Sequence, residues 1–145
     1  MRARMDRISS ARARKKLARS PLLALALCAC GGAITEVSPG QPFRLHMGES
    51  ARVGGTRLVV TFRAVLEDTR CPIDVVCIVA GNGRVQLEVR GVRGAGRLAL
   101  NTTSEPRESP LDSHRIRLHD LRPGRLAGRE IPPEAYEIDL EVIPD

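Results

Sequence analysis

Two cysteines near the middle of the sequence, Cys71 and Cys77, have a spacing that suits a covalent cross-link. In an oxidising compartment such a pair forms a disulfide, and the chain-entropy model gives a loop of this size about 2 kcal/mol of stabilisation. A redox pair and half of a metal site are the alternatives. Redox motifs usually have the spacing C-x-x-C, and a zinc site needs further cysteine or histidine ligands. We therefore predict a structural disulfide.

Three charged residues lie close to this cysteine pair in the sequence: Asp68, Arg70 and Asp74. Asp68 and the neighbouring Thr69 can bond to backbone amides in a turn, and Arg70 can pair with either carboxylate. In that interpretation the three residues stabilise the loop. In the other interpretation they form a polar site at the end of a sheet that binds a small ligand or a partner. The sequence leaves both open.

Patterns typical of catalysis or metal binding are sparse. The histidines are His46, His114 and His119, and the last two, five residues apart on one strand, would point to opposite faces and could not easily share a metal. Ser113 stands between Asp112 and His114, but a Ser-His-Asp triad depends on geometry and not on adjacency, and there is no G-x-S-x-G element. We expect no metal and no cofactor.

The N-terminus has the pattern of an export signal. Residues 2–19 are basic and residues 21–29 are apolar. Nine apolar residues are too few to span a bilayer but suit the hydrophobic region of a signal peptide. The stretch Leu27-Cys28-Ala29-Cys30-Gly31 resembles the lipobox of bacterial lipoproteins, which has leucine three residues before the lipidated cysteine. Cys30 fits this pattern better than Cys28, because a small residue precedes it.

The lipobox resemblance implies that the chain is cleaved before Cys30 and that Cys30 carries the lipid. Stable anchoring takes at least two acyl chains, and triacylated Cys30 would hold the protein permanently at the membrane. Gly31 is not the aspartate that favours inner-membrane retention in enteric bacteria, so the outer membrane is favoured if the cell has two membranes. An ordinary secretory signal cleaved near Ala33 is the alternative.

The formal charge of +6 belongs to the N-terminus. Eight of the 23 Lys and Arg residues and one of the 17 acidic residues lie in the first 19, which leaves 15 basic and 16 acidic residues and a charge of about −1. A nucleic-acid-binding domain would need a basic patch, and three aromatic residues are too few for base stacking. We expect no nucleic-acid partner.

The rest of the chain alternates between apolar and polar residues with a period of two. This pattern predicts strands in residues 57–64, 84–90 and 136–142, and weaker patterns predict further strands in residues 43–47, 50–53, 75–79, 97–100 and 114–118. Strands with one polar face indicate antiparallel pairing. We predict an all-β fold, a single antiparallel β-sandwich or small barrel with Greek-key-like order. The predicted division is a signal peptide in residues 1–29, a tether in 30–41 and the β-domain in 42–145.

The polar face of the last predicted strand is acidic, with Glu137, Asp139 and Glu141. Opposite charges that face each other across strands stabilise a sheet. We therefore predict that this strand pairs with an arginine-rich strand, with Arg115 or Arg57 as the partner of Asp139. The alternative is that these charges only form solvated faces.

A second resemblance covers residues 58–81. The run Asp68-Thr69-Arg70-Cys71-Pro72, four further residues, Cys77 and then Gly81 resembles the pattern D-[ST]-R-C-P-x4-C-x-W-x-G of uncharacterised bacterial exported lipoproteins. Val79 stands where those proteins commonly have tryptophan. The resemblance implies an exported lipoprotein, and the family has no established activity to carry over.

Together these patterns predict a lipid-anchored protein of the cell envelope that acts as a non-enzymatic binding or structural module. We expect it to contact another envelope protein or a small ligand through its loops, which are the cysteine loop and residues 101–110 and 122–133. One alternative is an exported domain that blocks a partner in the manner of a protease inhibitor. A less favoured alternative is a small hydrolase that uses Asp68, Arg70 and a distant histidine.

Overall fold

The computed structural model describes residues 34–145, and in this part of the chain nine strands form two sheets. One short 3₁₀ helix, Pro133–Ala135, precedes the last strand. The strands are β1 Ile34–Val37, β2 Pro42–His46, β3 Ser50–Val53, β4 Val59–Asp68, β5 Gly83–Gly91, β6 Gly94–Asn101, β7 Glu108–Leu111, β8 His114–Arg122 and β9 Glu137–Pro144. Among the described residues, no helix is both long and apolar enough to cross a bilayer.

The two sheets are separate and do not close into a barrel. The five-stranded sheet has the order β1-β3-β4-β5-β6, and the four-stranded sheet has the order β2-β9-β8-β7. All neighbours are antiparallel except β1 and β3, which are parallel. In the second sheet three consecutive strands lie beside β2, which is distant in sequence, and this is a Greek-key-like order. The all-β prediction is confirmed, with the sandwich and not the barrel as its form.

The core between the sheets is almost entirely aliphatic. Phe62 of β4 is its one fully buried aromatic side chain among the described residues. The alternation read from the sequence places the inward residues of β4, β5 and β9 in this core, because successive side chains of a strand point to opposite faces. The remaining buried apolar residues are Leu45, Ala51, Val53, Leu58, Val60, Val85, Leu87, Val89, Leu100, Ile116, Leu118, Leu121, Ile138, Leu140 and Val142.

Strand β8 contains an irregularity that simple alternation does not predict. Its register against β9 shifts between Leu118 and Asp120. One extra residue at such a bulge resets which side chains face inward. As a result Leu118 and Leu121 are both buried although they are three residues apart, and His119 and Asp120 between them are exposed.

Residues 34–41, which the sequence assigned to a tether, belong to the sandwich. Strand β1 pairs with β3 from Ile34 opposite Ser50 to Val37 opposite Val53, and the amide of Gly40 donates to the carbonyl of Val142 at 2.7 Å. The folded domain therefore begins before residue 42. The predicted signal peptide, the first part of the tether and Cys30 lie outside the described residues.

Two other segments also differ from their sequence predictions. Residues 75–79 form no strand, because they lie in the loop that Cys71 and Cys77 close and face solvent, not a partner strand. Residues 101–110 are not wholly a loop, because Asn101 ends β6 with 6% of its surface exposed and residues 108–111 form β7, which pairs with β8.

The acidic last strand β9 pairs with β8, which contains Arg115, Arg117 and Arg122, so the predicted pairing with an arginine-rich strand is confirmed. Arg44 of β2 lies opposite Asp139 of β9, and its Nε is 2.7 Å from Asp139 Oδ1. Arg122 of β8 is 3.1 Å from Asp139 Oδ2. The hydrogen bond from Arg44 holds the pKa of Asp139 below its ordinary value and outweighs partial burial, with help from the charges of Arg44 and Arg122.

The prediction that Arg115 or Arg57 pairs with Asp139 was wrong. Arg115 lies opposite Ile143 in the register of β8 and β9, and its side chain pairs with Glu108 and Asp145. Arg57 precedes β4, which belongs to the other sheet. Strand register, which alternation does not specify, decides the partner.

We predict that the Asp139→Arg variant has a lower melting temperature, because the new arginine then faces Arg44 and Arg122. Adding Arg44→Asp to this variant restores part of the loss, since opposite charges face each other again across β2 and β9. Adding Arg115→Asp is the matched control and restores nothing. Thermal unfolding of the four chains measures the coupling, and equal rescue by both second changes would contradict the register.

Candidate functional site

The polar residues singled out in the sequence lie where β4 ends. Asp68 is the last residue of β4, and Arg70 turns back onto it. The Nε of Arg70 donates to Asp68 Oδ1 at 2.8 Å and its second terminal nitrogen donates to Oδ2 at 2.7 Å. Only 8% of the Asp68 side chain and 15% of the Arg70 side chain are exposed. A bidentate ion pair that is so little exposed to solvent has a fixed geometry.

This ion pair also joins the two sheets. Arg70 donates to the carbonyl oxygens of Leu121, at the end of β8, and of Pro123 just beyond it. The hydroxyl of Tyr136, immediately before β9, donates to Asp68 Oδ2 at 3.0 Å. We call Asp68, Arg70 and Tyr136 the clamp, because they connect the end of β4 in one sheet with the end of β8 and the start of β9 in the other.

The hydrogen-bonding capacity of the clamp is largely used within the protein. A guanidinium has five N–H donors, and four bonds from Arg70 reach Asp68, Leu121 and Pro123. Both carboxylate oxygens of Asp68 accept bonds from Arg70, and one also accepts the bond from Tyr136. This arrangement favours the interpretation in which Asp68 and Arg70 stabilise the architecture.

The clamp shifts the protonation of two of its members. Burial alone raises the pKa of Asp68, but the hydrogen bonds and charge of Arg70, helped by the Tyr136 hydroxyl, outweigh burial and hold that pKa below its ordinary value of 3.8. Burial raises the pKa of Tyr136, and the hydrogen bond to the Asp68 carboxylate raises it further. Both shifts favour an ionised Asp68 beside a neutral phenol.

The connection between β4 and β5, residues 69–82, follows directly from the clamp, and we call it the Cys loop. The amide of Thr69 donates to the carbonyl of Asn82, and the amide of Cys71 donates to that of Ala80, both at 2.8 Å. Cys71 and Cys77 form a disulfide with an S–S distance of 2.06 Å, which confirms the predicted bond. The stem of the Cys loop is therefore paired and its tip is covalently closed.

Asp74 lies on the Cys loop, away from the clamp. Its Oδ1 accepts the amide of Ala127 at 2.9 Å, and the amide of Ile73 donates to the carbonyl of Arg125 at 2.9 Å. Arg125 in turn donates to the carbonyl of Arg70 at 2.9 Å. These bonds brace the Cys loop against the loop of residues 122–133, so Asp74 helps to hold the loop in place.

The structure thus brings Asp68 and Arg70 together and places Asp74 elsewhere. Sequence reasoning missed Tyr136 as a partner of Asp68, although alternation in the last strand had indicated that its side chain turns inward. It also missed the carbonyl groups of Leu121 and Pro123. Backbone acceptors contributed by a segment about fifty residues away leave no signal in residue type or spacing.

The backbone conformation and a close contact explain why glycine occupies position 81, after Cys77. Its φ of +69° lies in the left-handed region that favours glycine. A Cβ atom at this position would overlap the carbonyl oxygen of Thr69. The two arms of the Cys loop stem therefore approach each other more closely than any residue with a side chain allows.

A shallow cleft of about 250 Å³ opens beside the clamp and is lined by Asp68, Tyr136, Arg125, Arg129, Glu130 and Ile131. Its charged lining could hold a small polar ligand. At the opposite end of the sandwich, a cleft of about 440 Å³ includes Asp112, Ser113 and His114 in its lining. There Ser113 Oγ lies 3.2 Å from His114 Nδ1, whereas Asp112 accepts the amide of Val92 at 3.0 Å.

The other histidines lie on the four-stranded sheet. His46 is 3.4 Å from Glu137 and His119 is 2.8 Å from Glu141. Among the described contacts, none joins a histidine to Asp68 or Arg70, so the hydrolase hypothesis gains no support. Within residues 34–145, no group of three or more His, Cys, Asp or Glu side chains is placed to hold a metal ion.

We predict that Asp68→Asn lowers the free energy of unfolding by about 3 kcal/mol, because it leaves the buried Arg70 charge without a counter-charge. The control is Glu67→Gln at the preceding, exposed position, which we expect to cost about 0.5 kcal/mol or less. Denaturant unfolding at neutral pH measures both. Similar losses in the two variants would contradict the clamp.

The same pair of chains tests the pH dependence. Because the pKa of Asp68 is lowered in the folded chain, its stabilisation is complete above the ordinary value and is lost as the pH falls through the lowered one. The unfolding free energy of Asp68→Asn should therefore fall less steeply with acidification than that of the unmodified chain.

We predict that Gly81→Ala lowers the free energy of unfolding by about 3 kcal/mol, from left-handed backbone and steric overlap together. Gly55→Ala is the matched control, since Gly55 has a φ of +72° but no atom near its missing Cβ, and should cost only about 1 kcal/mol. Chemical denaturation measures the free energy of unfolding of both variants. Equal losses would mean that the steric overlap between the new Cβ atom at position 81 and Thr69 is relieved.

No protein-family model, curated protein or solved structure matches this chain. The candidate site is accordingly defined by its own contacts. A buried clamp fixes the end of the sandwich and supports a disulfide-closed loop, and that loop is braced from a second side by residues 122–133.

Proposed function

We propose that this protein is an exported lipoprotein of the cell envelope, anchored through acyl chains on Cys30, and that its folded domain is a non-enzymatic binding module. The observation that carries the proposal is the lipobox-like stretch from Leu27 to Cys30 behind a basic and then an apolar segment. Cys30 stands only four residues before Ile34, where β1 begins. The anchor would therefore hold the domain close to the membrane surface.

The disulfide supports the exported location. Disulfides persist in oxidising compartments and are rare in the cytosol, where thiols are kept reduced. The bond between Cys71 and Cys77 closes a loop on the surface of the domain. A reducing compartment would leave this loop without its cross-link.

The arrangement of the clamp supports a binding module over an enzyme. Asp68 and Arg70 bond to each other and to the backbone of the opposite sheet, so their role is to hold the Cys loop. The surface they present comprises a braced loop and the shallow cleft beside Tyr136. Another envelope component or a small ligand would bind there, at the outer membrane if the cell has two membranes.

A partner-blocking domain of the protease-inhibitor kind is the second candidate. One observation favours it: the Cys loop is exposed at its tip, closed by a disulfide and braced from the side. Rigid loops bind partners with a smaller entropic cost than flexible ones.

We predict that the chain takes up radiolabelled fatty acid when it is produced in bacteria, and that Cys30→Ser abolishes the label because the acceptor thiol is gone. Cys28→Ser is the matched control and should keep the label. Gel autoradiography and phase partitioning of the membrane fraction measure both. Label retained in Cys30→Ser would contradict the anchor.

A further inference from the structure

The Cys loop carries most of the exposed apolar surface of the described chain. Five of the eight large hydrophobic side chains that are exposed lie between residues 73 and 79. The most exposed are Val76 at 102%, Ile78 at 105% and Val79 at 76%, and Val75 beside them is 45% exposed. We call Val75, Val76, Ile78 and Val79 the apolar tip. A concentration of exposed apolar groups of this kind marks an interaction surface.

The loop is built so that the apolar tip stays in solvent. The disulfide ties Cys77, which lies between Val76 and Ile78, to Cys71, and the bond from the Ala127 amide to Asp74 fastens the loop from the side. The amide of Val75 also donates to the carbonyl of Pro72 at 3.3 Å. These restraints hold the loop in a conformation that leaves the aliphatic side chains exposed.

The start of strand β1 faces the end of the sandwich at which the Cys loop lies, about seven residues short of it along β4. Ile34 of β1 lies opposite Ser50 of β3, and Ser50 lies opposite Thr61 of β4. Strand β1 runs parallel to β3 and therefore antiparallel to β4, so its first residue points toward the Asp68 end of the sheet. Cys30 is four residues before Ile34 and can lie at most about 14 Å from it. A lipid on Cys30 would therefore hold the domain close enough for this end to reach the bilayer.

Two basic side chains lie at the same end of the sandwich as the apolar tip. Arg125 and Arg129 belong to the loop that braces the Cys loop, and both line the cleft next to the clamp together with Glu130. Arginine attracts the phosphate groups of anionic lipids. The tip itself has no charged residue from Val75 to Ala80, and uncharged aliphatic groups suit the interfacial layer of a membrane.

We propose that the apolar tip inserts into the interfacial layer of the same bilayer that holds the Cys30 lipid. This inference rests on the proposed anchor. Four aliphatic side chains alone would bind a membrane weakly, but the anchor keeps them at a high effective concentration beside it. The second contact fixes the orientation of the domain and turns the cleft of about 440 Å³ at the other end away from the membrane.

The absence of tryptophan from the sequence gives a direct test. Ile78→Trp places a single fluorophore in the apolar tip. Val92→Trp is the matched control, since Val92 is 72% exposed and follows β5 at the end opposite to the Cys loop, about 30 Å from Gly83 along the strand direction. The full lipidated chain is reconstituted into vesicles of phosphatidylethanolamine and phosphatidylglycerol, with and without brominated acyl chains.

We expect the emission of Ile78→Trp to shift to shorter wavelength and to be quenched several-fold more strongly by brominated lipid than that of Val92→Trp. Adding Val76→Asp to Ile78→Trp should remove most of this difference, because a charge beside the fluorophore opposes insertion. The second change also shows whether insertion depends on the native tip or only on the introduced indole.

Vesicle flotation separates failure of the tip from failure of the anchor. If the lipidated chain floats but the two tryptophans are quenched equally, the tip proposal is wrong and the anchor stands. If the chain carries no lipid on Cys30, both proposals are wrong. An emission shift that requires added envelope protein and does not occur with lipid alone would assign the tip to a protein partner and overturn the membrane contact.

Discussion

The buried pair of Asp68 and Arg70 is the interaction on which the functional end of this domain depends. A β-sandwich closes its core by side-chain packing between two sheets, but hydrogen bonds run only within each sheet. Arg70 adds direct bonds between them, since it pairs with Asp68 from one sheet and donates to Leu121 from the other. This side chain thereby helps to set the position of the Cys loop relative to both sheets, together with the bonds from residues 122–133.

The desolvation free energy of burying these charges is offset by the ion pair and by local hydrogen bonds. Removing an ion pair from water is expensive, and the attraction between the charges compensates only when the geometry is good and the remaining donors are bonded. Tyr136 and the carbonyl groups beyond β8 supply those additional bonds. The ion pair of the clamp therefore depends on its additional hydrogen bonds, which the aliphatic core beside it cannot supply.

Much of the fold can be predicted from the sequence, because alternation records which face of a strand is buried. It identifies β4, β5 and β9 well, since their inward residues are apolar and their outward residues are mostly polar or charged. It misses β1, whose first three residues are all exposed, and it mistakes residues 75–79 for a strand because valine and isoleucine are typical of strands whether or not a partner strand exists. The bulge in β8 is also invisible to a pattern of period two.

The candidate site is predictable only where its residues are neighbours in sequence. Asp68, Arg70 and the two cysteines are found because they lie within ten residues and have chemically definite side chains. Tyr136 and Leu121 join them only after the sheets have packed, and a single sequence carries no record of contacts between residues that are 51 or 68 positions apart. The partner of Asp139 was missed for the same reason, because register and not charge brings Arg44 to it.

The position of β9 has a consequence for the order in which the domain is assembled. Strand β9 lies between β2 and β8, and the contact of Arg44 with Asp139 joins residues 95 positions apart. Because synthesis proceeds from the N-terminus, β2 remains without its neighbour until β9 has been made. Pairings this distant in sequence form slowly, since a long segment must first be closed into a loop. The four-stranded sheet therefore cannot be completed before β9 has been synthesised, whereas all strands of the five-stranded sheet precede β9 in the chain.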